Sequence, residues 1–360
     1  VNEYRKVDMD KATRLTRAGK LKEALAVLRG AFGGLGRPSA AAPAVPPAVA
    51  MPDLGLGVPE AVRGLLDRLG VGGRDSRPET AGFSERVFTN QAGSRKYKLF
   101  VPRGYHGQAL PLVVMLHGCT QSPDDFAAGT RMNELAEAEN FFVVYPAQSK
   151  SANFQKCWNW FNAADQHRDT GEPSLIAGIT HAVMAEYAVK PRQIYVAGMS
   201  AGGAAAMIMA ANYPDLYAAV GVHSGLACGA ATNMGAAFGA MQRGAPAEAV
   251  AAHKVSVPVI VFQGDQDGTV NAVNGDQVIA QAEPADAVRT TVVEGETNGR
   301  FYTRTVQEDA RGRPVVEKWL VHGAGHAWSG GSAAGSFSDP QGPDASREML
   351  RFFLRQERKG

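Results

Sequence analysis

From Phe83 onward the chain alternates short apolar runs with longer stretches in which apolar positions recur at helical spacing. FSERVFT, with the alternating Tyr97, Leu99 and Val101 of SRKYKLFVP, predicts an antiparallel hairpin. LVVML at 112–116 is apolar at every position, the signature of a strand buried on both faces. FFVVYP (141–146), QIYVAG (193–198), AAVGVHSG (218–225) and VPVIVFQG (257–264) repeat it. Residues 124–139, 171–189, 201–212 and 276–284 predict helices between and after these runs. Strands follow near 288–294, 301–307 and 315–321, and SREMLRFFLRQ (346–356) closes the chain as an amphipathic helix. Alternation of this kind implies an α/β fold with a mostly parallel central sheet flanked by helices.

The first 82 residues read differently. Leu15, Ala18, Leu21, Leu25, Leu28 and Phe32 predict a short helical hairpin broken at Gly19. Residues 33–57 are Gly, Ala and Pro with hardly a charge, a linker composition, and 59–69 predict one more short helix. The expected division is an N-terminal helical segment and linker over 1–82 and one large domain over 83–360.

Composition narrows the function. Lys and Arg number 37 against 35 for Asp and Glu, a net charge of +2, which argues against a nucleic-acid partner. No apolar run approaches the roughly 18 residues of a membrane-spanning helix. Charges recur from the first residues, so no secretory signal is visible and a cytoplasmic location is expected, with secretion the alternative. The three cysteines, Cys119, Cys157 and Cys228, are too few for a disulfide scaffold but leave room for one bridge. Nothing in the pattern sets the oligomeric state.

The chemistry centres on Gly198-Met199-Ser200-Ala201-Gly202, placed where a buried strand passes directly into a helix. A turn that tight requires glycines on either side and exposes the Ser200 hydroxyl as a nucleophile. The following helix offers its N-terminal amides to a developing anion, Ala201 first. A second amide is expected from the loop after LVVML, at Cys119 of His117-Gly118-Cys119-Thr120-Gln121. A serine needs a base, and the base an orienting acid, in the order Ser, Asp, His. His326, in the glycine-rich VHGAGHAWSGG, suits the base, with His322 its competitor. His322 and His326 lack the helix and the Glu of a metal motif, so no metal and no other cofactor is expected. Asp265 and Asp267 both stand just beyond the strand VIVFQG, and spacing alone does not separate them. Glycines are abundant, 41 in all, and those at 118, 198, 202, 264 and 325 fall on loops where the backbone is expected to approach the reacting ester.

Taken together, MLHGCTQ (115–121), CWNWF (157–161), AGMSAGGAAA (197–206), YPDLYAAVGVHSG (213–225), QGDQDGTV (263–270) and GAGHAWSGG (323–331) resemble the poly(3-hydroxybutyrate) depolymerase esterases of the α/β-hydrolase fold. The resemblance implies Asp267 rather than Asp265 as the acid beside Ser200 and His326. It also implies a tryptophan at the substrate, with Trp328 the first candidate and Trp158 and Trp160 the others. The expected activity is acyl transfer from a polyhydroxybutyrate ester to Ser200 and then to water, with a polyester chain or granule as partner. An extra N-terminal segment and no C-terminal polymer-binding domain look like the intracellular branch of the family. Feruloyl and acetyl-xylan esterases share these motifs and are the rival reading. A non-catalytic granule-binding protein is a more distant one.

Overall fold

All seven positions of LPLVVML are buried, and they form strand β3 (Leu110–Leu116). The computed structural model describes residues 82–282 and 287–358; the N-terminal hairpin, linker and short helix expected before them lie outside the described residues. Successive residues of a strand point to opposite faces, so its apolar runs feed two cores. Leu112, Val114, Leu116, Val196, Val222 and Val261 belong to one. Val113, Met115, Tyr195, Ala197, Ile260 and Phe262 belong to the other.

The other strands of this sheet are β1 (Gly82–Asn90), β2 (Gly93–Val101), β4 (Phe142–Pro146), β5 (Val189–Met199), β6 (Ala219–His223), β7 (Val259–Gly264), β8 (Ala287–Thr297), β9 (Arg300–Asp309) and β10 (Pro314–Val321). Their order is β1-β2-β4-β3-β5-β6-β7-β10-β9-β8. From β4 to β10 all neighbours are parallel. The β1–β2 hairpin adds antiparallel pairs at one edge, and β9 and β8 add them at the other. The parallel strands therefore all deliver their following loops to one edge of the sheet, where ligands of such folds bind.

The helices are α1 (Pro123–Thr130), α2 (Met132–Glu139), α3 (Gly171–Glu186), α4 (Ala201–Asn212), α5 (Met234–Arg243), α6 (Ala247–Ala251), α7 (Val273–Ala282) and α8 (Ala345–Phe353). The last is the amphipathic helix expected at the chain end. It buries Met349, Leu350, Phe352 and Phe353, each worth roughly 1.5–3 kcal/mol. Phe353 stacks on Tyr195 of β5 at 4.9 Å between ring centroids.

Three departures from the sequence pattern have local causes. The helix expected over 124–139 is two, separated by Arg131 in the left-handed region at φ 55°. Two carbonyls at the end of α1 are engaged from far along the chain, that of Gly129 by the Ser332 amide and that of Thr130 by the Ser346 hydroxyl. The helix expected over 171–189 stops at Glu186, because the backbone at Ala188 and Val189 already pairs with β3. Helices α5 and α6 occupy a segment whose hydrophobic pattern announces neither; Asn233 caps α5 by accepting the Ala236 amide.

The turn from β5 into α4 is closed by contacts that tolerate no side chain. A methyl group on Gly198 would lie 2.2 Å from the Gly202 carbonyl oxygen, and one on Gly202 would lie 2.0 Å from that of Leu116. Gly264 is confined in the same way, 2.3 Å from the Ala324 carbonyl, whereas Gly325 faces open space and is under no such constraint. Because the obstructing atoms at Gly202 are backbone of β3, Gly202→Ala is expected to cost at least about 2–3 kcal/mol, read as a lowered urea midpoint. Gly325→Ala should stay within about 0.5 kcal/mol of the parent.

Candidate active site

Ser200 is the single residue between β5 and α4, and its backbone is left-handed at φ 55° and ψ −121°. That conformation is strained for a residue with a side chain and is held by its surroundings. The Ser200 amide donates to the His223 carbonyl at 2.9 Å, which ties the turn to the end of β6. The loop after β3 lies against it: a methyl group on Gly118 would stand 3.6 Å from Ser200 Cβ. Among the described residues no protein acceptor takes up the amides of Ala201 or Cys119. Both remain available to an oxyanion, with the N-terminal end of α4 adding its dipole.

The acid and base loops leave adjacent parallel strands in register. Val321 pairs with Gly264, so the next residues, His322 and Asp265, face each other. His322 Nδ1 lies 2.9 Å from Asp265 Oδ2, and the Gly323 amide donates to Asp265 Oδ1 at 2.8 Å. His326 Nδ1 reaches Asp267 Oδ2 at 2.8 Å. The two aspartates that spacing does not separate therefore belong to two different histidines. Burial would raise the Asp267 carboxyl, but the bond to His326 and the amides of Val270 and Thr269 outweigh it and hold the group below the usual carboxylate range. Those amides lie 2.8 and 2.9 Å from Oδ1. An ionised carboxylate only accepts, so His326 carries its hydrogen on Nδ1 and keeps Nε2 as the basic nitrogen. An imidazole held this way can take a proton from a hydroxyl and return it to a leaving group.

Two buried histidines, to which the sequence pattern assigns no role, hold these loops as neutral acceptors. His223 Nε2 accepts the Ser329 amide at 2.9 Å, three residues beyond His326. Burial, with repulsion from His326, pushes its pKa down to about 3. His117 Nε2 accepts the Gln148 amide at 3.0 Å, and its Nδ1 donates to the Gly118 carbonyl at 2.7 Å. Burial lowers its pKa to about 4. Cys119 and Cys157 form a disulfide, the bridge that the sequence leaves open. The Thr120 amide adds a bond to the Gln155 carbonyl at 2.6 Å. Glu172, at the start of α3, accepts the Asn159 amide at 2.7 Å and so anchors the loop that carries Cys157.

The tryptophans do not stand where the resemblance implies. Trp328 is 1% exposed, donates its indole N–H to Ser346 Oγ at 3.1 Å and stacks on His223. Trp158 is fully buried and donates to the His117 carbonyl at 3.0 Å. Trp160 is buried edge-on to Phe161. Burial packs all three against the loops, with the indole N–H groups of Trp158 and Trp328 hydrogen-bonded there, rather than exposing them as walls of an open site. The ring that stands beside His326 with an open face is Phe337, 6.4 Å away between centroids and 48% exposed. Nothing in its local sequence marks it, since its neighbour lies eleven residues back across a loop.

Because His117 and His223 refuse protons that the unfolded chain binds below about pH 6.5, their contribution to stability is complete above that pH. It is lost as the pH falls through about 4 and about 3. The urea midpoint is expected to drop steadily from about pH 6.5 to pH 4. A midpoint unchanged between pH 6.5 and 4.5 would show that neither ring excludes a proton.

Comparison with known proteins agrees with this architecture. A profile of the family described as Esterase PHB depolymerase matches residues 95–297, more than half of the chain. Poly(3-hydroxyalkanoate) depolymerase C of Paucimonas lemoignei is 32% identical over 249 residues, 66% of this chain and 59% of that protein. Poly(3-hydroxybutyrate) depolymerase of Ralstonia pickettii is 30% identical over 248 residues, 61% of this chain and 48% of that protein. The chain thus spans about half the length of these relatives. Among solved structures, an acetyl xylan esterase from Aspergillus awamori shares the fold with a TM-score of 0.58 at 20% identity, covering 76% of this chain and 99% of that one. With the parallel sheet and the turn at Ser200, the fold is the α/β-hydrolase fold, and the chain belongs to the esterase PHB depolymerase family.

Proposed function

We propose that this protein is a serine esterase that hydrolyses the ester bonds of poly(3-hydroxybutyrate) or related short-chain polyhydroxyalkanoates. The observation that carries the reading is the 2.8 Å bond between His326 and a buried, ionised Asp267, at the same sheet edge as the Ser200 turn. His326 Nε2 takes the hydroxyl proton as Ser200 Oγ attacks the ester carbonyl. The amides of Ala201 and Cys119 hold the oxyanion of the tetrahedral intermediate. As that intermediate collapses, the C–O bond to the alcohol breaks and His326 protonates the leaving oxygen, giving a 3-hydroxyacyl ester of Ser200. Water then attacks with His326 as base, releasing the acid and restoring the serine. The steps use these side chains, the two backbone amides and water.

The relatives' names support a polyester substrate, and the near-neutral charge of +2 suits a substrate with no charge to attract. The disulfide between Cys119 and Cys157 favours an oxidising compartment over the cytoplasm expected from the N-terminal composition. No helix among the described residues is long and apolar enough to cross a membrane.

Soluble hydroxybutyrate oligomers, amorphous granules, methyl ferulate and acetylated xylan, assayed side by side, test the substrate. Oligomers and granules are expected to be hydrolysed, and activity on ferulate or xylan alone would overturn the reading. Ser200→Ala should lower kcat by at least about 10⁴-fold, and Asp267→Asn by about 10⁴-fold. Both should leave the circular dichroism spectrum unchanged, and near-parental turnover in either would remove that residue from the mechanism. Opening the bridge with Cys157→Ser releases a loop of 38 residues, an expected loss of about 3–4 kcal/mol in urea unfolding. It also frees the Cys119 amide to drift, with a loss of up to about 10²-fold in kcat.

A further inference from the structure

We infer that Phe337 contacts the alcohol side of the bound ester and sets the preference for an apolar, branched leaving group, an inference that rests on the Ser200–His326 reading above. The ring lies edge-on to the His326 imidazole, at 6.4 Å between centroids and an interplanar angle of 76°. The base of an acyl-transfer site protonates the leaving oxygen, so a group packed against that base neighbours the alcohol portion rather than the acyl portion.

The position of the ring is imposed. Phe337 is held in the left-handed region at φ 51°. Its carbonyl accepts the Trp328 amide at 2.7 Å, between two short strands, β11 (Trp328–Ser329) and β12 (Ser338–Asp339). On its other side the Ser336 amide donates to Asp125 Oδ1 at 2.9 Å, and Gln121 Nε2 donates to the Ser336 carbonyl at 3.0 Å. The same Gln121 accepts the Gly118 amide at 2.9 Å. Gly335 sits so close to α1 that a methyl group on it would meet the Asp125 carbonyl at 2.4 Å. The segment carrying Phe337 is thus fastened both to the loop that offers the Cys119 amide and to the loop that carries His326. An aromatic side chain left 48% exposed on so fixed a backbone offers a prepared apolar face at the reaction centre. In a hydroxyalkanoate chain the alcohol carbon is secondary and bears an alkyl branch, and that branch is what the face would contact.

The experiment varies the alcohol at constant acyl group and then the acyl group at constant alcohol. The first set is methyl, isopropyl and sec-butyl butyrate, with a 3-hydroxybutyrate trimer read beside it as the polymer-like substrate, and the second is methyl acetate through methyl hexanoate. Phe337→Ala is expected to raise KM about 10-fold for the branched esters and the trimer. It should change kcat/KM for methyl butyrate by less than about 2-fold, and Phe337→Leu should recover most of the loss. An equal loss on methyl butyrate, or one that follows acyl length, would overturn the assignment. Parental activity on methyl butyrate that disappears in Ser200→Ala establishes the site independently. A flat Phe337 profile on that background removes Phe337 alone, whereas an active Ser200→Ala removes the underlying reading.

Discussion

The contact on which the site depends is steric: the backbone of Gly202 lies directly on the carbonyls that end β3. A methyl group there would come within 2.0 Å of the Leu116 oxygen and 2.6 Å of that of His117. This closeness brings the loop after β3, with its Cys119 amide, alongside the turn that presents Ser200. It also forces Ser200 into its left-handed backbone, since one residue must reverse the chain between an 11-residue strand and a 12-residue helix. Interactions at such range are possible only between bare backbones, so the two glycines and the strand end act as one unit.

Around that unit the loops are held mainly by hydrogen bonds to buried neutral groups. His223 receives one loop at its carbonyl and another at Nε2, and His117 does the same for the segment leading to Cys157. A charged imidazole has no acceptor nitrogen, so both roles depend on the burial that keeps these rings unprotonated. The acid and base loops are joined along their length by the Asp265–His322 and Asp267–His326 pairs and by the Gln266 amide on the Ala324 carbonyl. The side chain proposed as base therefore sits on a loop that is irregular in sequence yet constrained at several points.

Local physics explains what could be read early. A strand buried on both faces must be apolar at every position, which marks β3, β5, β6 and β7 directly. The strand-to-helix turn needs its glycines, which marks Ser200. The two breaks in expected helices were not legible, because the groups that end them arrive from distant segments: Ser332 and Ser346 at α1, and β3 beyond α3. The resemblance implies Trp328 at the substrate, but the ring found beside His326 is Phe337. The indole donates to Ser346 and is buried, and the strained turn that carries Phe337 leaves its phenyl ring half exposed.

The chain by itself determined the fold class, the central strands, the turn at Ser200 and the set of residues from which an acid and a base would come. Those properties follow from periodicity and from the steric demands of neighbours in sequence. Spacing left open which aspartate meets which histidine and only the resemblance pointed to Asp267; the pairing itself depends on the β7–β10 register joining residues 57 and 59 positions apart. Tertiary structure alone decided the pairing of Cys119 with Cys157 and the burial of the tryptophans, for the same reason. Each is a contact between segments whose separation in sequence leaves no trace in local spacing.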